Sequence, residues 1–369
     1  MNREQYEKNK PFAGEAKPSM LRRRIDHDYE SRHIYFITIT VEGRRPLLGK
    51  LVGRGDAPKN TPEEPRIELT ELGMRVQEEW MAVTTHHPEI TVIALQIMPD
   101  HLHGILFVHS QMPQHLGHII KGFKASTNKH YRRLILGQSP SVSSVPSVPS
   151  VSSVPSAPSV SSVPFVATPS QQRKRDRSLD DRHHGLLWSI GYNDHILGGK
   201  GELQRWITYV QDNPRRLAIR REHRDYFRVR FNITVAGQTY AAIGNRFLLT
   251  YPQRKQIQLS RSLSEEEIKK EIEDNLALAR QGTILVSPAI SDGESAVMRA
   301  ALDAHLPLIF LTPWGFNEFS KPGHQYFEAC AEGRFLILAP WPHQNRRIPL
   351  TRDMCLALNA MAKTICEEP

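Results

Sequence analysis

Gln96-Ile-Met-Pro-Asp-His-Leu-His-Gly-Ile-Leu-Phe-Val108 is the stretch on which the reading of this chain turns. His101 and His103 bracket a single leucine. On a β-strand residues i and i+2 point to one face, so both imidazoles leave the same side of a sheet. Two convergent imidazoles are half of a metal site and need one further ligand, with open positions left for a substrate. The flanks, Thr91-Val-Ile-Ala-Leu95 and Gly104-Ile-Leu-Phe-Val108, are apolar strand sequence. Two ordinary strand histidines fit the same pattern, as does the strand-end His-x-His of a barrel metallohydrolase. Other parts of the chain must separate these readings.

With 369 residues the chain has room for two domains, each with its own core. Its three cysteines (Cys330, Cys355, Cys366) lack CxxC spacing, which argues against a disulfide framework or a cysteine zinc site and suits a reducing cytoplasm. No apolar run has the length of a membrane span, so a soluble, cytoplasmic protein with no membrane partner is expected. The net charge of +9 is unevenly spread. Residues 1–235 hold 34 basic and 24 acidic side chains, and the remainder is close to neutral. Positive charge that surrounds and follows the histidine pair points to a polyanionic partner there.

A basic arm, residues 1–33, precedes the alternating strand Ile34-Tyr-Phe-Ile-Thr-Ile-Thr-Val41, which Arg44 and Arg45 follow. A helix is expected from Glu68 to about His86 with Thr70 as its cap. Another, between Gln111 and Leu136, interleaves Lys121, Lys124, Lys129, Arg132 and Arg133 with apolar positions, as a phosphate-tracking face would. Residues 138–182 form a Ser/Val/Pro-rich tract in which SVSSVP recurs at Ser141, Ser150 and Ser159, and it reads as a disordered insertion. A strand follows from Leu186 to Leu197. In the next helix Leu203, Trp206, Ile207 and Val210 form an apolar stripe, Tyr209 lies beside it, and Asn213 comes one turn later. Pro214 is expected to close that helix, ahead of Arg215 and Arg216.

Together, YFITITV, the His101-Leu102-His103 run after Met-Pro, YNDHIL and Tyr209-Val-Gln-Asp-Asn213-Pro214 resemble the HUH single-tyrosine transposases, above all their REP-associated branch. The resemblance covers about Ile34 to Arg221. It implies an α+β domain over residues 34–230, an antiparallel sheet with helices of ferredoxin-like or RRM-like type. It also implies metal binding by His101, His103 and Asn213, with Mg2+ or Mn2+ as the cation and Tyr209 as nucleophile. Cleavage and rejoining of single-stranded or hairpin DNA would pass through a 5′-phosphotyrosine, in a monomer or a homodimer. Asp100, Asp194 and His195 are candidates for supporting the site. Arg44, Arg45, Lys121, Lys124, Lys129, Arg132, Arg133, Arg215 and Arg216 are candidates for DNA contact, and Tyr192 for base stacking. A non-catalytic DNA-binding regulator descended from such an enzyme, or a metallohydrolase using water, are the alternatives.

Residues 240–369 alternate strand and helix signals, implying an α/β domain with a parallel sheet. Val286-Ser-Pro-Ala-Ile-Ser-Asp-Gly-Glu294 resembles the Rossmannoid domain of DNA-processing protein A. The resemblance makes Ser287, Gly293 and Glu294 candidate anion-binding residues at a helix N-terminus. The partner of this half is left open.

Overall fold

The structure, a computed structural model, describes residues 27–137, 186–344 and 349–367. Most of the basic arm and the Ser/Val/Pro-rich insertion lie outside these residues. The described chain falls into two compact units, one ending at Ala218 and the other beginning at Ile219.

The first unit runs β1 (His33–Thr40), a hairpin of β2 (Gly49–Val52) and β3 (Arg66–Leu69), α1 (Glu71–Met81), the short α2 (Val83–His86), β4 (Ile90–Met98), β5 (His101–Val108), α3 (Leu116–Leu134), β6 (Asn193–Leu197) and α4 (Glu202–Glu222), whose residues from Ile219 on belong to the second unit. β4, β5, β1 and β6 form one antiparallel sheet in that spatial order. The alternation of each strand sorts its side chains between two layers. Tyr35, Ile37, Ile39, Leu102 and Leu106 bury one face against Trp80 of α1 and Ile120 and Phe123 of α3. Phe36, Ile105 and Leu197 bury the other against Leu203, Trp206, Ile207 and Val210 of α4, so the stripe read from the sequence is the packing face of that helix.

Three local expectations are corrected. Glu68 and Leu69 are strand rather than helix, because Lys50 and Gly49 pair with them. The helix starts at Glu71, where Thr70 Oγ1 accepts from Gly73 N at 3.1 Å. The strand expected from Leu186 pairs with β1 only from Asn193. Before that point Trp188 makes an isolated bridge to Val41, and Lys124 Nζ donates to the carbonyls of Ser189 and Gly191. Pro214 does not end its helix, which continues to Glu222. A proline removes the N–H that would bond the carbonyl four residues back, here that of Val210. Asn213 Nδ2 compensates, reaching Val210 O at 3.5 Å and Tyr209 O at 3.0 Å.

The second unit contains β7 (Arg230–Val235), β8 (Gln238–Gly244), β9 (Arg254–Gln256), α5 (Glu265–Arg280), β10 (Ile284–Ser287), α6 (Asp292–Asp303), β11 (Leu308–Leu311), α7 (His324–Ala331), β12 (Phe335–Ala339) and α8 (Arg352–Glu367). Its sheet has the order β7-β8-β12-β11-β10-β9. β9 to β12 are parallel, whereas β8 and β7 run antiparallel, so the sheet is mixed rather than all parallel. The parallel strands follow chain order. Side chains of α5, α6 and α7 therefore cover one face, and α8 covers the other. Ser264 and Glu267 cap α5 reciprocally.

Candidate active site

β5 starts at His101, and its odd-numbered positions face α4. His101 Nε2 and His103 Nε2 converge to 3.1 Å. Two donors in adjacent positions on one cation, each about 2.1 Å from it, stand about 3.0 Å apart. The other ring nitrogens are occupied. Asp100 Oδ1 lies 2.6 Å from His101 Nδ1, and Thr38 Oγ1 lies 2.9 Å from His103 Nδ1. Such partners fix the ring orientation and tautomer of metal-ligating histidines. Burial, with the neighbouring His101 and Arg44 adding to it, pulls the His103 pKa down to about 3. The ring is thus neutral, as a ligand must be. Burial alone would raise the Asp100 carboxyl, but the hydrogen bond and charge of His101, with Arg44 3.4 Å away, hold it below its ordinary value.

α4 lies across this face. Trp206 packs on Phe36 with ring centroids 4.1 Å apart, which sets the helix against β1. Tyr209 follows at the edge of that contact, its ring 5.9 Å from His103 and 6.2 Å from Phe36. It remains 39% exposed, so its phenol is open to a substrate. The Arg216 guanidinium stands 6.0 Å from the centre of the same ring. Asn213 is buried on α4 with its amide nitrogen committed to the helix backbone, as described above. At the start of the helix Glu202 accepts from Gly198 N, Gly199 N and His195 Nε2 at 3.1, 2.9 and 2.8 Å. These hydrogen bonds, those of Gly199 and His195 foremost, pull its pKa down to about 2.

The structure thus gathers Asp100, His101, His103 and Tyr209 on one face of the sheet. Asp194 is not with them. It lies one residue from His195 on β6 and so faces the opposite layer, where its Oδ2 accepts from Tyr29 at 2.7 Å. His195 faces α4 but is engaged by Glu202 and by the Trp206 ring, 5.2 Å away. Tyr192 is buried in the core and has no face to offer a base.

The basic candidates divide similarly. Lys121, Lys129, Arg132 and Arg133 are exposed, but α3 packs behind the sheet, which stands between them and the histidines. Lys124 is tied to loop carbonyls, and Arg45 bonds Glu42 O, Leu186 O and the Tyr131 hydroxyl. Arg44 is exposed beside Asp100, Arg215 lies 3.5 Å from Asp212, and Arg216 is beside Tyr209. In the second unit the anion at the α6 N-terminus is internal. Glu294 is buried and accepts from Leu259 N and Ile290 N at 3.2 and 2.7 Å, Ser287 Oγ accepts from Ala289 N, and a Cβ on Gly293 would meet Leu259 at 3.3 Å.

Thr38 and Trp206 were not among the sequence candidates. Thr38 was findable: it shares the parity of Phe36 on β1, and the observed register places it opposite His103. Among the described residues no three His, Cys, Asp or Glu side chains are placed to share a metal ion. No helix among them is long and apolar enough to cross a membrane.

No family model matches the chain. An uncharacterized protein of Haemophilus influenzae is 23% identical over 192 residues, covering 52% of this chain and 86% of that protein. Solved structures with some likeness include a REP-associated tyrosine transposase bound to a REP hairpin, at 11% identity and a TM-score of 0.29, covering 52% of this chain and 72% of that one. A single-stranded-DNA-binding structure of DNA processing protein A from Helicobacter pylori is 19% identical, with a TM-score of 0.29 and coverage of 38% and 66%. A functional reading therefore has to stand on the site itself.

Proposed function

We propose that the first unit is a metal-dependent DNA strand transferase that cleaves and rejoins single-stranded or hairpin DNA through Tyr209. The order β1-α1-β4-β5-α3-β6, with β4-β5-β1-β6 side by side, is of the ferredoxin-like kind. The second unit is an appended Rossmannoid domain. One observation carries the functional reading: two imidazoles with occupied Nδ1 atoms bring their Nε2 atoms within 3.1 Å of each other, beside an exposed tyrosine on a neighbouring helix.

The residues fit a divalent cation, either Mg2+ or Mn2+. His101 and His103 would hold it through Nε2, and Asn213 through its amide oxygen, since the amide nitrogen serves the helix. Two nitrogen donors favour Mn2+ over Mg2+, which prefers oxygen. Bound there, the cation would neutralise charge on the scissile phosphate. Asp100 and Thr38 keep the rings oriented, and Arg216 adds positive charge beside the nucleophile. The Tyr209 phenolic oxygen attacks phosphorus and gives up its proton to solvent. The bond from phosphorus to the 3′-oxygen breaks, and that oxygen takes a proton from solvent. The products are a 5′-phosphotyrosine and a free 3′-hydroxyl. Attack by a different 3′-hydroxyl reverses the step and joins strands without an external energy source.

The test is incubation with a labelled hairpin oligonucleotide and Mn2+, followed by denaturing electrophoresis. A covalent protein–DNA adduct is expected from the native chain and none from Tyr209→Phe. An adduct that survives Tyr209→Phe removes Tyr209 as nucleophile. Cleavage without any adduct favours hydrolysis by water, and binding without cleavage favours a regulator.

A further inference from the structure

Gln96 is the one polar residue between Val92 and Met98 of β4. It lies outside every motif through which the chain resembles the transposases. Register sets its place: Gln96 pairs with His103, and Met98 pairs with His101. Its neighbours Leu95 and Ile97 pack on the layer of α1 and α3, whereas Ala94 packs on that of α4. By parity Gln96 therefore leaves the sheet on the α4 side, together with the two imidazoles. Directly opposed residues of antiparallel strands have Cβ atoms about 4.5–5.5 Å apart.

The carboxamide is turned toward the same place. Its Nε2 donates to Ile97 O at 2.9 Å, which draws the side chain along the strand toward Met98 and so toward the row of His101. Oε1 then has no donor among the described residues and is open to solvent. The opposite assignment of the amide would set that oxygen against the Ile97 carbonyl, two acceptors in contact.

An amide oxygen is a hard, neutral donor of the kind that Mg2+ and Mn2+ accept. An octahedral cation held by His101, His103 and Asn213 still has open positions, not all of which a scissile phosphate would fill. We infer that Gln96 is a further protein ligand of that cation, through Oε1, an assignment that rests on the metal site proposed for the first unit. The sheet then supplies Gln96, His101 and His103 by itself, and α4 adds Asn213. All of these donors are neutral, so the cation keeps its full charge for the phosphate.

Titration of the full chain with Mn2+, read by electron paramagnetic resonance and by water-proton relaxation, needs neither DNA nor turnover. His103→Ala is expected to abolish tight binding, which identifies the site. Gln96→Leu is expected to weaken Mn2+ binding by at least about tenfold, the lower end for losing a partner of a metal ligand. An additional water should coordinate Mn2+ in that variant, a change that a merely structural residue would not produce. Gln96→Glu, of the same size, should tighten binding, because ligand charge raises affinity. Unchanged urea unfolding confirms that the variants fold. Binding that depends on His103 but is equal in the native chain, Gln96→Leu and Gln96→Glu, with the same number of bound waters, overturns the role of Gln96 and leaves the metal site standing. Mn2+ binding that ignores His103 overturns both.

Discussion

Gly104 has no side chain at the point where the Trp80 indole meets β5: a Cβ there would lie 2.2 Å from the ring. The tryptophan is fully buried, and the strand rests on it directly behind His103. Gly104→Ala must therefore displace either the indole or the strand. The expected cost is about 1–3 kcal/mol, typical of overpacking a core, measured by urea unfolding. Mn2+ affinity should fall with it, because the residue that moves is adjacent to a candidate ligand. Unchanged stability would mean that the ring has room to yield.

Asp100 touches His101 and not the proposed cation position. Asp100→Ala is expected to weaken Mn2+ binding by about 10–100-fold in calorimetric titration, the usual penalty for losing a partner of a ligating histidine. Thermal stability should change little, since the site is at the surface end of β5. Equal affinity in the variant would show that the ring holds its orientation without the carboxylate.

Glu202 provides an acid-sensitive contact of this unit. Its folded pKa of about 2 lies below the ordinary 4.5, so the folded state binds fewer protons than the unfolded state between those values. Its stabilisation is complete above about pH 4.5 and disappears as the pH falls toward 2. The melting temperature of native chain minus that of Glu202→Gln should be positive at pH 7 and shrink toward zero near pH 2.5. A gap that stays constant with pH would show that the charge is not what Gly198, Gly199 and His195 recognise.

Much of this arrangement was legible in the sequence because strand parity is a rule of the backbone. Alternation alone placed His101 and His103 together, and the i, i+3, i+4, i+7 stripe placed α4 with Tyr209 at its margin. The same rule, applied to β6, would have separated Asp194 from His195 in advance. What the sequence did not disclose were long-range choices. Nothing local says that Lys124 will bind loop carbonyls, that Glu294 will fill its own helix end, or that α3 will pack on the far layer. Pro214 misled for a different reason: the donor that lets the helix continue is a side chain one residue earlier.

That substitution of donors predicts a coupling. Asn213→Ala leaves Val210 O without the amide and should destabilise the chain by about 0.5–1.5 kcal/mol. With Pro214→Ala present, a backbone N–H again reaches Val210 O, so Asn213→Ala should cost measurably less. Chemical denaturation of the four members of this double-mutant cycle gives the coupling directly. Strict additivity would show that the asparagine does not stand in for the missing backbone N–H.

β5 is also a partition between two kinds of inheritance. Its even-numbered residues, from Leu102 to Val108, answer to the interior, and its first two odd-numbered residues answer to the proposed reaction. A lineage that abandoned the proposed strand transfer could lose the imidazoles and keep a folded protein. Drift confined to positions 101 and 103, with 102, 104 and 106 held constant, would then be the signature of a retired enzyme.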